Sequence, residues 1–315
     1  VSTACAAEES TGAPPAAVSG DHAVILVYHH VSDETPPSTS VTPETFGDHL
    51  EYLEDYDVVP LEAVVRAVEG RGALPPDAVA ITFDDAYESV YTEALPRLEE
   101  RGWPFTVFVS TDYIDDDYGG YMSWAQLRDI ERRGGAVGNH SGSHRHMIRR
   151  EPDQSADEWR ERVAADLRHA QSRLATELDA PLPYFAYPYG EFDRDLEAVV
   201  ADLGFVAFGQ QSGPVGPVSD RVALPRFPVA TAYADLEALG DKLDTRPLPV
   251  SVLAPDSRVL APGAAAPELR LEIPSGPYDR ERLRCYVSGQ EPAQVDWRGD
   301  EAVIRARAPL RPGRS

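Results

Sequence analysis

Two carboxylates stand side by side in Ile81-Thr-Phe-Asp84-Asp85, and two imidazoles stand four residues apart in Asn139-His140-Ser-Gly-Ser-His144. Imidazole nitrogens and a carboxylate oxygen suit a divalent ion such as Zn²⁺, and three protein ligands leave a position for water. Asp85, His140 and His144 would make such a set; His146 is an alternative to His144 that spacing does not exclude. A metal at Asp85 would lower the pKa of Asp84 and hold it as a base. Each motif alone has a plainer explanation, a strand end followed by a capping Asp or a solvated His.

Three further segments carry candidate chemistry. In Tyr187-Pro-Tyr-Gly190 a proline at the mouth of a sheet would remove a ladder donor and re-aim the chain, presenting the next backbone N–H, that of Tyr189, to a ligand. In Tyr28-His29-His30 strand alternation sends one imidazole inward and the other outward, without saying which. Arg226, in Leu224-Pro-Arg-Phe227, needs no more than a carboxylate partner to explain it.

The elements that must position these residues alternate along the chain. Short apolar runs at 23–29, 79–84, 105–111, 136–141, 184–189 and 205–210 predict buried strands. Amphipathic stretches at 43–56, 87–101, 123–133, 154–178 and 193–203 predict helices between them. Strands joined by helical crossovers are parallel, so the fold class is α/β, and six or more such strands fit a barrel better than a short open sheet. Four strand ends collect the reactive residues, and the C-terminal ends of strands are the active face of parallel α/β folds. No G-x-G-x-x-G follows any of these strands, which argues against dinucleotide binding.

After about residue 244 the pattern changes. Arg246-Pro-Leu-Pro249 reads as a linker, and 268–273, 282–287 and 302–307 as short strands between turn residues. The expected organisation is a tail at 1–20, an enzyme-sized domain at 21–246 and a small β-rich appendage at 247–315, ending at Pro-Gly-Arg-Ser as a shortened domain would.

The 315 residues are 42% apolar, enough for a sizeable core, and no apolar run approaches the ~20 residues that span a bilayer. Fifty-three acidic against 29 basic residues give a net charge of −24, which argues against nucleic acid as a partner. Lys242 is the only lysine, a bias of coding or of habitat rather than of chemistry. The two cysteines, Cys5 and Cys285, exclude a Cys-based metal site by count, and Cys5 in a flexible-looking tail argues against a disulfide framework. Ala4-Cys5-Ala6 reads as the cleavage site of a secretory signal, so export is expected; a lipid anchor on Cys5 is the weaker variant, because Ser2 stands where a Leu is usual.

Together, T-F-D-D, H-S-x-S-H and an aromatic-Pro-Tyr turn, in that order, resemble the polysaccharide deacetylases of the NodB-homology type, carbohydrate esterase family four. The resemblance covers roughly residues 22–240. Tyr28-His29-His30-Val31 ahead of T-F-D-D is similar to the branch that de-N-acetylates poly-β-1,6-N-acetylglucosamine, in which the barrel elements are permuted and an early His replaces a late one. No Leu-x-x-His follows residue 200.

The resemblance implies a distorted (β/α)₇ barrel and a divalent metal, Zn²⁺ ahead of Co²⁺, Ni²⁺ or Fe²⁺, held by Asp85, His140 and His144. It implies Asp84 as general base, His29 as general acid for the leaving amine, and the Tyr189 N–H as a donor to the oxyanion. The Arg of the family's R-P-Y turn is Tyr187 here, which leaves Arg226 as the candidate for orienting Asp84. The implied protein is an exported hydrolase that removes N-acetyl groups from an extracellular, biofilm-type polysaccharide, in the periplasm, at the cell envelope or secreted. The aromatic and acidic segment Asp112–Tyr121, with Trp124, could stack sugars and attract a partly deacetylated, cationic chain. Chitin, peptidoglycan or acetylxylan would suit the same chemistry, and a matrix-binding protein on a spent scaffold is the rival of a different class.

Overall fold

The computed structural model describes residues 22–230, 233–255, 259–260, 265–266 and 268–311, with the backbone of 5–7. The chain divides into two compact units, Ser19–Pro247 and Val1–Val18 with Leu248–Ser315.

In the larger unit six strands run parallel, in chain order: β1 (Ala23–Tyr28), β2 (Ala78–Phe83), β3 (Phe105–Val109), β4 (Gly135–Asn139), β5 (Tyr184–Ala186) and β6 (Val206–Phe208). A seventh, β7 (Phe227–Pro228), returns to pair in parallel with β1, so the last strand lies beside the first. Leu224 makes a parallel bridge to Phe208, with hydrogen bonds from the Gly209 N–H to the Leu224 carbonyl and from the Leu224 N–H to the Ala207 carbonyl. Residues 224–228 therefore span the gap between β6 and β1. No strand was expected here: the stretch is too short and too proline-interrupted to show a strand period, yet its two sides join the ends of the sheet.

The strands are buried on both faces, as parallel strands covered by helices are. Alternation sorts their side chains. Val24, Leu26, Tyr28, Val79, Ile81, Phe83, Val107, Val109 and Val137 share one cluster with residues of the helices α1 (Pro43–Tyr52), α3 (Leu95–Arg101), α5 (Trp124–Arg132) and α8 (Leu236–Leu243). Ala23, Ile25, Ala80, Phe108, Ala186, Phe208 and Leu224 face inward and meet α2 (Leu61–Val68). The remaining helices are α4 (Thr111–Asp115), α6 (Ala156–Glu177) and α7 (Arg194–Asp202).

The helices begin where their sequences dictate. Ser123 and Ser155 close capping boxes with Gln126 and Glu158, and Thr42, Asp193 and Asp235 each accept a backbone N–H at their helix starts. The expected helices at 43–56, 123–133, 154–178 and 193–203 are present. The one at 87–101 opens with a π-helical turn, Val90–Ala94. Helices α2 and α8 were not anticipated, each being only eight residues long. Expected strands ran too far at their C-terminal ends, because the residues beyond them leave the ladder to form the site.

In the smaller unit, β8 (Ser251–Ala254), β9 (Glu268–Glu272), β11 (Gln294–Arg298) and β12 (Glu301–Arg305) form an antiparallel sheet in the order β8-β9-β12-β11. Leu271, Ile273, Leu283, Ala302 and Ile304 make its core. Strand β10 (Leu283–Cys285) pairs antiparallel with the backbone of Cys5–Ala7, Cys5 opposite Cys285. Ala4 and the other residues of the expected tail lie outside those described. Among the described residues no helix is long and apolar enough to cross a membrane.

Candidate active site

Strand alternation carries the inward set past the ends of the ladders. In phase with Ile25 comes His29, with Ala80 come Thr82 and Asp84, with Gly138 comes His140, and with Leu224 comes Arg226. Asp84, His140 and Arg226 are almost completely buried. His29 rather than His30 faces the site: Asp84, Asp85, Arg226 and His140 all act electrostatically on it. His30 instead stacks on Tyr87, ring centroids 3.5 Å apart.

Asp85 and His144 reach the same place by a different route. Alternation would turn Asp85 outward, but its φ of 73° folds the chain back, and His144 sits at φ 48°. Five of the eight non-glycine residues at positive φ among those described are Asp85, Ala86, Ser141, His144 and Tyr189. Such backbone costs about 1–3 kcal/mol per residue and clusters where a site requires it.

The outcome is a set of three donors. His140 Nε2 lies 3.2 Å and His144 Nε2 3.1 Å from Asp85 Oδ1. One atom from each residue can be chosen within 4.8 Å of the others. Tetrahedral bonds of ~2.0 Å put neighbouring ligands about 3.3 Å apart, so this donor set fits a small divalent ion. His140 Nδ1 donates to the Ala186 carbonyl at 2.8 Å, so in the neutral ring Nε2 is the nitrogen that can ligate a metal. The alternative ligand His146 points elsewhere: its Nδ1 meets Glu191 at 2.8 Å and its ring stacks on Tyr189. Asp85, His140 and His144 can hold a metal ion; His146 is not among them.

Beside this set, Arg226 grips Asp84 with both guanidinium ends, NH1 to Oδ1 and NH2 to Oδ2, each at 2.7 Å. Its Nε donates to the Gly209 carbonyl and NH1 also reaches Thr82 Oγ1. Burial by itself would raise the Asp84 carboxyl; Arg226 and His140 more than offset it, so the group is held below its usual value. Asp85 is likewise opposed by burial yet held well below by its hydrogen bonds with His140 and His144. Burial pushes His29 down against the pull of Asp84 and Asp85. In His140 the balance reverses: burial lowers it, but Asp84 and Asp85 leave it raised overall.

Tyr187, where an Arg was a possible partner for Asp84, is buried, stacks on Phe192 and donates its hydroxyl to the Val222 carbonyl. Pro188–Gly190 form a single 3-10 turn in which Tyr189 has φ 59°. A Cβ on Gly190 would lie 2.7 Å from Gln210 Cβ, so this turn packs directly against the end of β6.

Residues 71–208 match the family model for polysaccharide deacetylases. Over this stretch, 138 of the 315 residues, the chain is similar to that family. Over 246 aligned residues the chain is 24% identical to the poly-β-1,6-N-acetyl-D-glucosamine N-deacetylase of Escherichia coli K12, covering 66% of this chain and 36% of that protein. The chain thus spans about a third of the length of this curated relative. The solved structure of IcaB from Ammonifex degensii aligns with a TM-score of 0.62 at 24% identity, over 72% of this chain and 99% of that one. A Streptococcus pyogenes deacetylase, PplD, solved with acetate, aligns at 0.63 and 21% identity, over 71% and 99%. These likenesses bear out the NodB-type (β/α) barrel expected from the sequence.

The matched segment holds the three donors and Asp84, whereas His29, just after β1, and Arg226, just before β7, lie outside it. Two residues beside Asp84 and His140 went unnoticed in the sequence. Gln210 donates to Asp84 Oδ2 at 3.3 Å. Buried Asn139 accepts from the Ser141 N–H at 2.8 Å and donates to the Leu167 carbonyl. Gln210 follows a three-residue strand and offers no spacing signal; Asn139 was visible only as the residue before His140.

Proposed function

We propose that the chain is a metal-dependent hydrolase that removes N-acetyl groups from a polysaccharide, poly-β-1,6-N-acetyl-D-glucosamine first among the candidates. The observation that carries the reading is the meeting of Asp85, His140 and His144 at one point beside a buried Asp84–Arg226 pair. The family match supports the reaction class, and the name of the Escherichia coli relative supports the substrate.

A divalent ion, Zn²⁺ in this proposal, would supply Lewis acidity toward the acetamide carbonyl and acidify water for attack. Asp84, kept ionised by Arg226, accepts the proton of the attacking water. Arg226 fixes both oxygens of that carboxylate, so the lone pair used for proton transfer is aimed rather than free to rotate. His29, on the neighbouring strand β1, delivers a proton to the departing amine nitrogen. The Tyr189 N–H donates to the oxygen on which charge builds as the carbonyl is attacked.

The rim favours a sugar chain. Ring contacts run from His30 to Tyr87, Tyr121, Tyr113, His144, Tyr189 and His146 without a break. Such an arc offers flat apolar faces to pyranose rings, while Asp112 and Asp115 to Asp117 bring negative charge toward an amine-bearing product. Export is part of the proposal, supported by the small uncharged residues around Ala4-Cys5-Ala6.

The test is acetate release from a poly-β-1,6-N-acetylglucosamine oligomer before and after chelation, with Zn²⁺ or Co²⁺ added back and Asp84→Asn alongside. Metal-restored release that Asp84→Asn abolishes is expected. Release only from chitin oligomers or acetylxylan would overturn the substrate. Silence on all three from metal-loaded protein would overturn the enzyme in favour of a matrix-binding protein.

A further inference from the structure

The ligand His144 sits in a loop whose conformation is costly. Between Asn139 and His144 both Ser141 and His144 adopt positive φ, 72° and 48°, and neither is glycine. Something outside the loop must hold it there. The backbone hydrogen bonds identify what does. The Ser141 N–H goes to Asn139 Oδ1 and the His144 N–H to Ser141 Oγ. The Ser141 and Gly142 carbonyls accept from the N–H groups of Thr111 and Asp112. The remaining two N–H groups, of Gly142 and Ser143, both go to one side chain, Asp166 of helix α6: Gly142 N–H to Oδ1 at 2.7 Å and Ser143 N–H to Oδ1 at 3.3 Å. Ser143 Oγ adds a bond to Asp166 Oδ2 at 2.7 Å. The approach is so close that a Cβ on Gly142 would lie 3.1 Å from Asp166 Oδ1.

Resting on the metal-dependent reading above, we propose that Asp166 is a positioning residue for the metal site, holding the 141–144 loop in the strained form that turns His144 toward Asp85. Asp166 touches neither Asp85 nor either ligand imidazole; it acts through the backbone. A carboxylate suits the task because it accepts several bonds at once without offering a donor that would repel the N–H groups. Helix α6 is the right carrier. It also holds Asn139 through the Leu167 carbonyl and Gln171, so both ends of the loop are referred to one rigid element.

The test is titration of Co²⁺ and Zn²⁺ into metal-free wild type, Asp166→Ala, Asp166→Asn and Ser143→Ala, followed by calorimetry and by the cobalt visible spectrum. Loss of an outer partner that orients a ligand costs about 10- to 100-fold in metal affinity. That loss, with an altered cobalt spectrum and little change in the melting temperature of the metal-free protein, is expected for Asp166→Ala. Asp166→Asn keeps an acceptor for Gly142 and should retain most of the affinity. If Asp166→Ala does not fold, Ser143→Ala, which removes one bond of the set, should show a smaller loss of the same kind. Variants that bind metal as wild type does would overturn the proposal, whatever their melting temperature. A wild type that takes up no metal would overturn it together with the reading on which it rests.

Discussion

Arg226 and Asp84, 142 residues apart in the chain, are joined by two parallel hydrogen bonds of 2.7 Å, and neither side chain has exposed surface. Neither charge is tolerable there alone. Breaking a buried pair by removing one partner typically costs about 3–5 kcal/mol, because the other charge is left uncompensated. Arg226→Met is therefore expected to lose several kcal/mol of stability in urea unfolding, and the double variant Arg226→Met, Asp84→Asn to recover part of it. A double variant no more stable than Arg226→Met would show that the pair is not what holds Arg226 in place. Arg226→Lys keeps the charge and loses the fork, so catalytic turnover should fall more than stability does.

The titrating groups give the metal-free protein two acid-sensitive windows. His29 is lowered in the folded state. Between its unfolded value near 6.5 and that lower value, the unfolded chain binds a proton that the folded chain refuses, so stability falls as the pH drops. His29→Gln removes this contribution, and its stability should exceed that of wild type by a margin that grows from pH 7 to pH 5. His140, held above its usual value, acts in the opposite sense, which is why the difference between wild type and variant is the quantity to measure. Asp84, lowered, contributes stability that is complete above about pH 4 and is lost as the pH falls through its folded value. Wild type should lose this contribution in the most acidic range, where Asp84→Asn has none to lose.

The separation of His144 from His146 is checked by metal content. His144→Ala should lose the metal on dialysis, whereas His146→Ala should keep it within a few-fold of wild-type affinity. Wild-type protein saturated at about 100 times its dissociation constant should be stabilised by about 2.7 kcal/mol over the metal-free form. Equal metal retention by the two alanine variants would return the ligand set to the ambiguity of its spacing.

The turn at Tyr189 separates backbone from side chain. Tyr189→Ala retains the N–H and loses the ring stacked on His146. It should raise KM for a long oligomer while leaving kcat within about threefold, since a stacking contact equal in ground and transition state acts on binding alone. Gly190→Ala meets Gln210 and stands at φ 63°, so kcat should fall steeply. A Tyr189→Ala variant with kcat down by a hundredfold or more would move the contribution from backbone to ring.

Much of this was legible in the chain because period two is a strong signal. Alternation puts Asp84 in phase with Ala80 and His140 in phase with Gly138, and it turns one of His29 and His30 inward without saying which. Asp85 and His144 were visible as residue types but not as directions, because their inward turn depends on left-handed backbone that no period reports. Arg226 was named and undervalued: a four-residue segment containing proline carries no pattern of its own, and its meaning comes from the two strands it joins, β6 just before it and β1 at the start of the unit. Asp166 lies on the face of a long amphipathic helix, where an acidic residue is ordinary, and only the loop it meets distinguishes it.

The return of β7 to β1 also orders events in time. As the chain is made, His29 appears early and Arg226 late, and the strand that spans the gap follows almost everything else in the unit. Until residue 228 has emerged, the growing sheet has two exposed edges and Asp84 lacks its counter-charge, a condition prone to association with other chains. The nascent domain is thus chemically incomplete until its own last strand arrives. A chain ended before that point is expected to leave the sheet open and Asp84 without Arg226.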